Sequence, residues 1–255
     1  MSSKNKWYTG FRLSPLIFLV LASTPLLLAC NQLAMLRRDA LYRIEHCAAD
    51  AFCYAGSNSI YLAGNLLLFL ILILYSTQHD FRPVAVVRSR SRMRMMMRQS
   101  EQIALYALFF AAYTTAVAAI LGWTLSPSAT LNWNTYESLF FFENERTVEE
   151  TLPHVIFLFF CSSFFTLLFT GLLGLWLRWL SGRNSVSVLA FLLFYLPSAW
   201  PATFLWSYYG WASLWIDQWN RYPVVDFVLL VQAGGAAVIW AAGMLSARRK
   251  DFLNG

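Results

Sequence analysis

The sequence predicts an all-α, polytopic membrane protein with six transmembrane helices and both termini in the cytoplasm. Three observations carry that prediction. Of 255 residues, 58% are apolar and only 13% charged, whereas a soluble domain carries about 25% charged residues. Six stretches, 13–36, 51–79, 102–136, 151–177, 184–216 and 227–247, hold no Asp, Glu, Lys or Arg. A span needs about 20 apolar residues to cross roughly 30 Å of hydrocarbon. Fourteen of the nineteen basic residues fall in alternate segments between these stretches, as retention of Lys and Arg on the cytoplasmic side requires. Runs such as Leu66-Leu67-Leu68-Phe69-Leu70-Ile71-Leu72-Ile73-Leu74 lack the alternation of a β-barrel.

Taken in order within one transmembrane domain, 1–255, the expected spans are 13–32, 59–78, 102–124, 153–177, 185–206 and 225–246. The first follows Lys4, Lys6 and Arg12. Leu27-Leu28-Ala29-Cys30 within it resembles a lipoprotein-type cleavage site. The Leu before Ala29 fits such a site poorly, however, and the apolar run continues through Leu36, so the span is read as uncleaved. The outer segment 33–58 contains Cys47 and Cys53, six residues apart. An oxidising outer face permits a disulfide between them, and accessible thiols are the alternative. Cys30 and Cys161 read as packing residues.

Between spans two and three lies Arg82-Pro83, then Val84 to Arg98, with Arg88, Arg90, Arg92, Arg94 and Arg98. Pro83 suits a first helical position. Neither proline nor glycine follows before Ala112, so a helix is expected from about 84, continuing into span three. Arg90, Arg94 and Arg98 would share one face and Met93 and Met97 another. Methionine adapts to a moving partner, and the arginines suit an acidic groove or anionic headgroups. An ordinary basic loop that only sets topology is the simpler reading.

The fifth charge-free stretch is longer than one span needs and holds Pro197 and Pro201. Proline removes a backbone donor and clashes with the preceding turn, so span five is expected to break there. A re-entrant or interfacial segment carrying Trp206, Trp211, Trp215 and Trp219 would cap the outer end; an aromatic belt at the headgroups is the alternative. The last span runs into a short basic tail, Arg248-Arg249-Lys250.

The chemistry-bearing patterns are negative. Gly-x-Ser-x-Gly and Gly-x-x-x-x-Gly-Lys are absent. None of His46, His79 and His154 is mid-span, and the cysteines have no zinc spacing. Glu149-Glu150 belongs to an acidic outer segment and lacks the partners a membrane protease would need. No catalytic residue, metal ligand or nucleic-acid surface is expected, and the net charge of +6 is a topology signal.

The layout resembles the transmembrane subunit of ABC-2 type exporters, most closely small bacterial permeases of lantibiotic-immunity and bacitracin-resistance type. The stretch from Asn65 through Arg98 into Ile103-Ala104-Leu105-Tyr106 and the tail Ser246–Phe252 carry the likeness. The resemblance implies a bacterial plasma-membrane permease without enzymatic activity, paired with a second permease and a separate ATPase. That ATPase would hold ATP and Mg, leaving this chain without a bound cofactor, and would dock on the 84–98 segment. An amphipathic cargo (peptide antibiotic, drug or lipid) would leave outward. The arginines of the 33–58 segment, Arg37, Arg38 and Arg43, match no family feature. The alternative function is a non-transporting six-span anchor or sensor whose basic loop binds lipid heads or a regulator.

Overall fold

The computed structural model describes residues 15–57, 59–81, 91–126, 128, 130–195 and 224–249. Within them the chain forms eight α-helices: α1 Pro15–Ala40, α2 Asp50–Ser57, α3 Ser59–Ser76, α4 Arg92–Leu125, α5 Leu139–Asn144, α6 Leu152–Ser181, α7 Asn184–Tyr195 and α8 Val224–Arg249. A 3₁₀ turn, Gln78–Phe81, follows α3. Two isolated β-bridges, Glu45 with Ser138 and Cys47 with Ser128, are the β-pairing among the described residues.

Four helices are long and apolar enough to cross a membrane: Ile17–Arg38 of α1, Arg92–Leu125, Leu152–Ser181, and Phe227–Arg248 of α8. The apolar stretches Gly64–Ser76 of α3 and Asn184–Leu193 of α7 are shorter. The protein is therefore an all-helical, membrane-embedded bundle. In hydrocarbon each unsatisfied backbone group costs several kcal/mol, and a helix satisfies them within one segment.

Local chemistry sets the helix ends. Ser91 has extended backbone (φ −151°, ψ 130°), and its hydroxyl accepts from the Arg94 amide, capping α4. Ser91 interrupts the continuous helix expected from about 84 into span three, a serine cap acting where no proline or glycine does; residues 84–90 lie outside the described residues. α1 runs to Ala40 rather than ending near 32, through Arg37 and Arg38, whose charge favours a helix C-terminus. Gly182 closes α6 with φ +72°, its amide donating to the Arg178 carbonyl at 2.8 Å. The chain then reverses into α7, and Ser187 Oγ donates to the Gly174 carbonyl.

A core of buried apolar side chains from α1, α3, α4, α6, α7 and α8 runs through the bundle, including Leu70, Ile73, Met95, Met96, Ile103 and Trp179. A second cluster, with Phe52, Trp133, Phe140 and Phe159, fills one end. Hydrophobic pressure is weak between helices in lipid, so close approach and polar links hold them. At Gly122 an added Cβ would come within 2.5 Å of the Ala48 carbonyl oxygen. Tyr113 donates to the Leu21 carbonyl (α4 to α1, 2.6 Å), and Gln232 to Ser162 (α8 to α6, 2.7 Å).

The two ends differ in charge. The start of α4 and the ends of α3, α6 and α8 meet at one end, through Trp179–Gln99 and Trp176–Ser246. That end carries Arg92, Arg94, Arg98, Arg178, Arg183 and Arg248 against Asp80 and Glu101. The opposite end, built from the described residues of 41–57 and 126–151, carries Glu45, Asp50, Glu137, Glu143, Glu145, Glu149 and Glu150 against Arg43 and Arg146.

Candidate functional site

The basic end is organised by the first turns of α4. Arg94, Met97 and Arg98 are exposed there, Arg92 and Met93 half-buried, and Met95, Met96, Gln99 and Ser100 buried. The helix thus turns Met95 and Met96 inward, where the sequence pattern singles out Met93 and Met97. Arg88 and Arg90 lie outside the described residues.

Behind the exposed arginines is a polar network that joins three elements. Gln99 is fully buried. Its Nε2 donates to Asp80 Oδ2 at 3.2 Å, and its Oε1 accepts from Trp179 Nε1 at 2.9 Å. Arg98 Nη2 donates to Asp80 Oδ1 at 2.8 Å. Arg178, buried at the end of α6, donates to the Leu74 carbonyl at 2.7 Å and to Thr77 Oγ1 at 3.1 Å. A buried charge must be paired with hydrogen-bonding groups, and the last carbonyls of α3 supply such groups because a helix end leaves them unbonded. The segment between α3 and α4 is therefore fixed at both its flanks to α6. The exposed Arg98–Asp80 pair contributes only about 0–1 kcal/mol. The buried Gln99 bonds weigh more, because an unmatched donor or acceptor there costs about 1–3 kcal/mol.

The acidic end has its own keystone. Asp50, 1% exposed, accepts from Trp133 Nε1 at 2.8 Å and from the Cys47 amide at 2.9 Å, with His46 Nδ1 at 3.5 Å. Trp133 stacks on Phe140 with centroids 5.2 Å apart. Glu150 pairs with His154 at 2.8 Å and Arg38 with Glu143 at 3.7 Å. Cys47 and Cys53 are free thiols, both buried in this cap. Burial, reinforced by the nearby Asp50 charge, pushes the Cys47 thiol up to about 12 and the Cys53 thiol well above its ordinary value. Where the sequence reading offers a bridge or accessible thiols, the structure has two free, buried thiols, Cys47 in the turn before α2 and Cys53 within it, packed in the apolar cluster with Phe52, Trp133 and Phe140. Only the thiolate is reactive.

Pro197, Pro201, Trp206, Trp211 and Trp215, with the whole proposed re-entrant segment, lie outside the described residues, as do 1–14 and 250–255. Of the expected fifth span, 185–206, the described part is the short apolar helix α7, Asn184–Tyr195. Among the described residues no group of three or more His, Cys, Asp or Glu side chains converges to hold a metal ion. Sequence reasoning misses Gln99, Trp179 and Asp80. Their one sequence signal is that Gln99 falls on the helical face shared by Met95, Met96 and Ile103. Comparison of the chain with protein-family models, curated proteins and solved structures finds no match.

Two outcomes are expected. Gln99→Leu leaves the Trp179 N–H without its acceptor and should destabilise the purified protein by about 1–3 kcal/mol; a lowered midpoint in detergent thermal unfolding, absent in Arg94→Gln, checks it. A membrane-impermeant maleimide should leave Cys47 and Cys53 unmodified at pH 7 in the native protein and modify both in denaturant, read by peptide mass spectrometry. Rising pH restores reactivity at Cys47 only as it approaches 12, since the thiol must first lose its proton.

Proposed function

We propose that the chain is the permease subunit of an ATP-binding-cassette exporter in a bacterial plasma membrane. Six spans place both termini and the basic end in the cytoplasm, and α3 and the segment containing α7 supply the two spans beyond the four long helices. A separate ATPase subunit binds ATP and Mg and docks on the segment ending at Arg98. A second permease completes the complex, and an amphipathic substrate leaves outward. The re-entrant segment containing Pro197 and Pro201 acts as the outer gate.

The observation that supports this reading is the construction of α4. One uninterrupted helix of 34 residues begins with exposed Arg94, Met97 and Arg98 and continues as an apolar, bundle-packed span. A push on its first turn is delivered along a rigid rod into the bundle, and through Gln99 into α6. The charge asymmetry of the two ends supports the orientation.

The test is co-expression with the ATPase subunits encoded in the same genome, followed by affinity purification from detergent. An ATPase should be recovered with the native chain. Replacing Arg90, Arg94 and Arg98 together by Glu should abolish recovery while the chain still inserts in the membrane. Undiminished recovery with the triple variant, or none with the native chain, would overturn the reading.

A further inference from the structure

The acidic end exposes large apolar side chains that the exporter reading does not use. Leu41 is 82% exposed, Tyr42 62%, Tyr136 78% and Phe142 50%. Such a group facing water alone is unusual. Its position supplies a different medium. The apolar part of α1 ends at Arg38, with Leu26 and Leu33 exposed along it, and Leu41 and Tyr42 follow directly. Placed just past the apolar part of α1, the rings suit the level of the headgroups, where aromatic side chains concentrate in membrane proteins.

These rings border a shallow cavity of about 300 Å³, lined among others by Tyr42, Arg43, Tyr136, Glu137, Phe142 and Glu145. Two ring contacts wall it, Tyr42 with Phe142 at 5.6 Å and Tyr136 with Phe141 at 5.1 Å. Two of its lining residues, Glu137 and Ser138, are held by Glu45, whose amide donates to the Glu137 carbonyl at 2.8 Å and which forms a β-bridge with Ser138. The three charged groups on the cavity, Arg43, Glu137 and Glu145, form no ion pair with a described residue. The neighbouring Arg38 is engaged by Glu143.

The chemistry is that of a receptor for a zwitterion. Aromatic faces and carboxylates both attract an ammonium group. A guanidinium presents a fork of donors matched to phosphate oxygens. Two carboxylates and four rings against one guanidinium make the ammonium the group that decides selectivity. We propose that this cavity seats the headgroup of a zwitterionic, amine-bearing phospholipid of the adjacent leaflet: the ammonium lies against Glu137, Glu145 and the rings, and the phosphate against Arg43. The exposed Leu41 and Phe142 then meet acyl chains and glycerol instead of water. The inference needs only the membrane embedding of the bundle, not the exporter reading.

The test uses the full-length protein in nanodiscs with equal amounts of phosphatidylethanolamine and phosphatidylglycerol, released into the gas phase for native mass spectrometry. Phosphatidylethanolamine should be retained at least fivefold over phosphatidylglycerol. Glu137→Gln with Glu145→Gln should bring that ratio within twofold, and Tyr136→Ala, at the most exposed ring, should reduce it with the fold intact by circular dichroism. Soluble phosphoethanolamine at millimolar concentration should leave lipid retention unchanged. Equal retention of the two lipids by the native protein, an unchanged ratio in both variants, or displacement by soluble phosphoethanolamine, which would mark a site for a free small molecule, would each overturn the proposal.

Discussion

Hydrocarbon cannot hydrogen-bond, and every other feature of this bundle follows from that constraint. Backbone groups are satisfied within helices, charges are expelled to the two ends, and polar side chains in the middle bond a carbonyl one turn back, as Thr24, Thr115 and Thr170 do, or reach across to a neighbouring helix. Tyr113 finds the Leu21 carbonyl and Gln232 finds Ser162. Where helices approach most closely, small residues give the room: Gly122 lies against the backbone of Ala48 at the entrance to α2.

Expelled polarity is then put to structural use, differently at each end. At the acidic end a buried carboxylate, Asp50, gathers an indole N–H and a backbone amide around itself, binding residues 46–57 to the 126–150 segment. The thiols of Cys47 and Cys53 are sealed inside that cap and kept protonated by burial and by the same carboxylate. At the basic end a neutral amide performs the joining. Gln99 has one donor directed to Asp80 and its acceptor directed to Trp179, so the turn after α3, the start of α4 and the end of α6 behave as one unit. A neutral linker avoids the desolvation cost that a buried ion pair would carry in the same place.

What is legible in the sequence is what lipid imposes on composition. The charge-free windows locate α1, α3, α4, α6 and α8, and the Lys/Arg pattern separates the ends, because both are one-dimensional consequences of burial in a bilayer. The start of α4 is not legible, because periodicity registers no break at Ser91, where the stop is a side-chain cap and not a proline or glycine. The inward turn of Met95 and Met96 is hidden for a related reason: several phases of the Met and Arg run fit a helix, and only the packing partners choose among them. Links such as Asp50–Trp133, 83 residues apart, and Gln99–Trp179, 80 apart, leave no local trace. A polar residue seeking one partner looks the same in sequence as one facing solvent.

A docking surface for a cytoplasmic ATPase must face the cytoplasm, so the proposed function depends on which way the bundle sits in the membrane. Single cysteines placed at two exposed positions, Arg94 at the basic end and Asn134 at the acidic end, report it directly in whole cells treated with a membrane-impermeant thiol reagent. The cysteine at 134 should be labelled in intact cells and the cysteine at 94 only after permeabilisation. The reverse pattern would contradict the orientation and the docking surface with it.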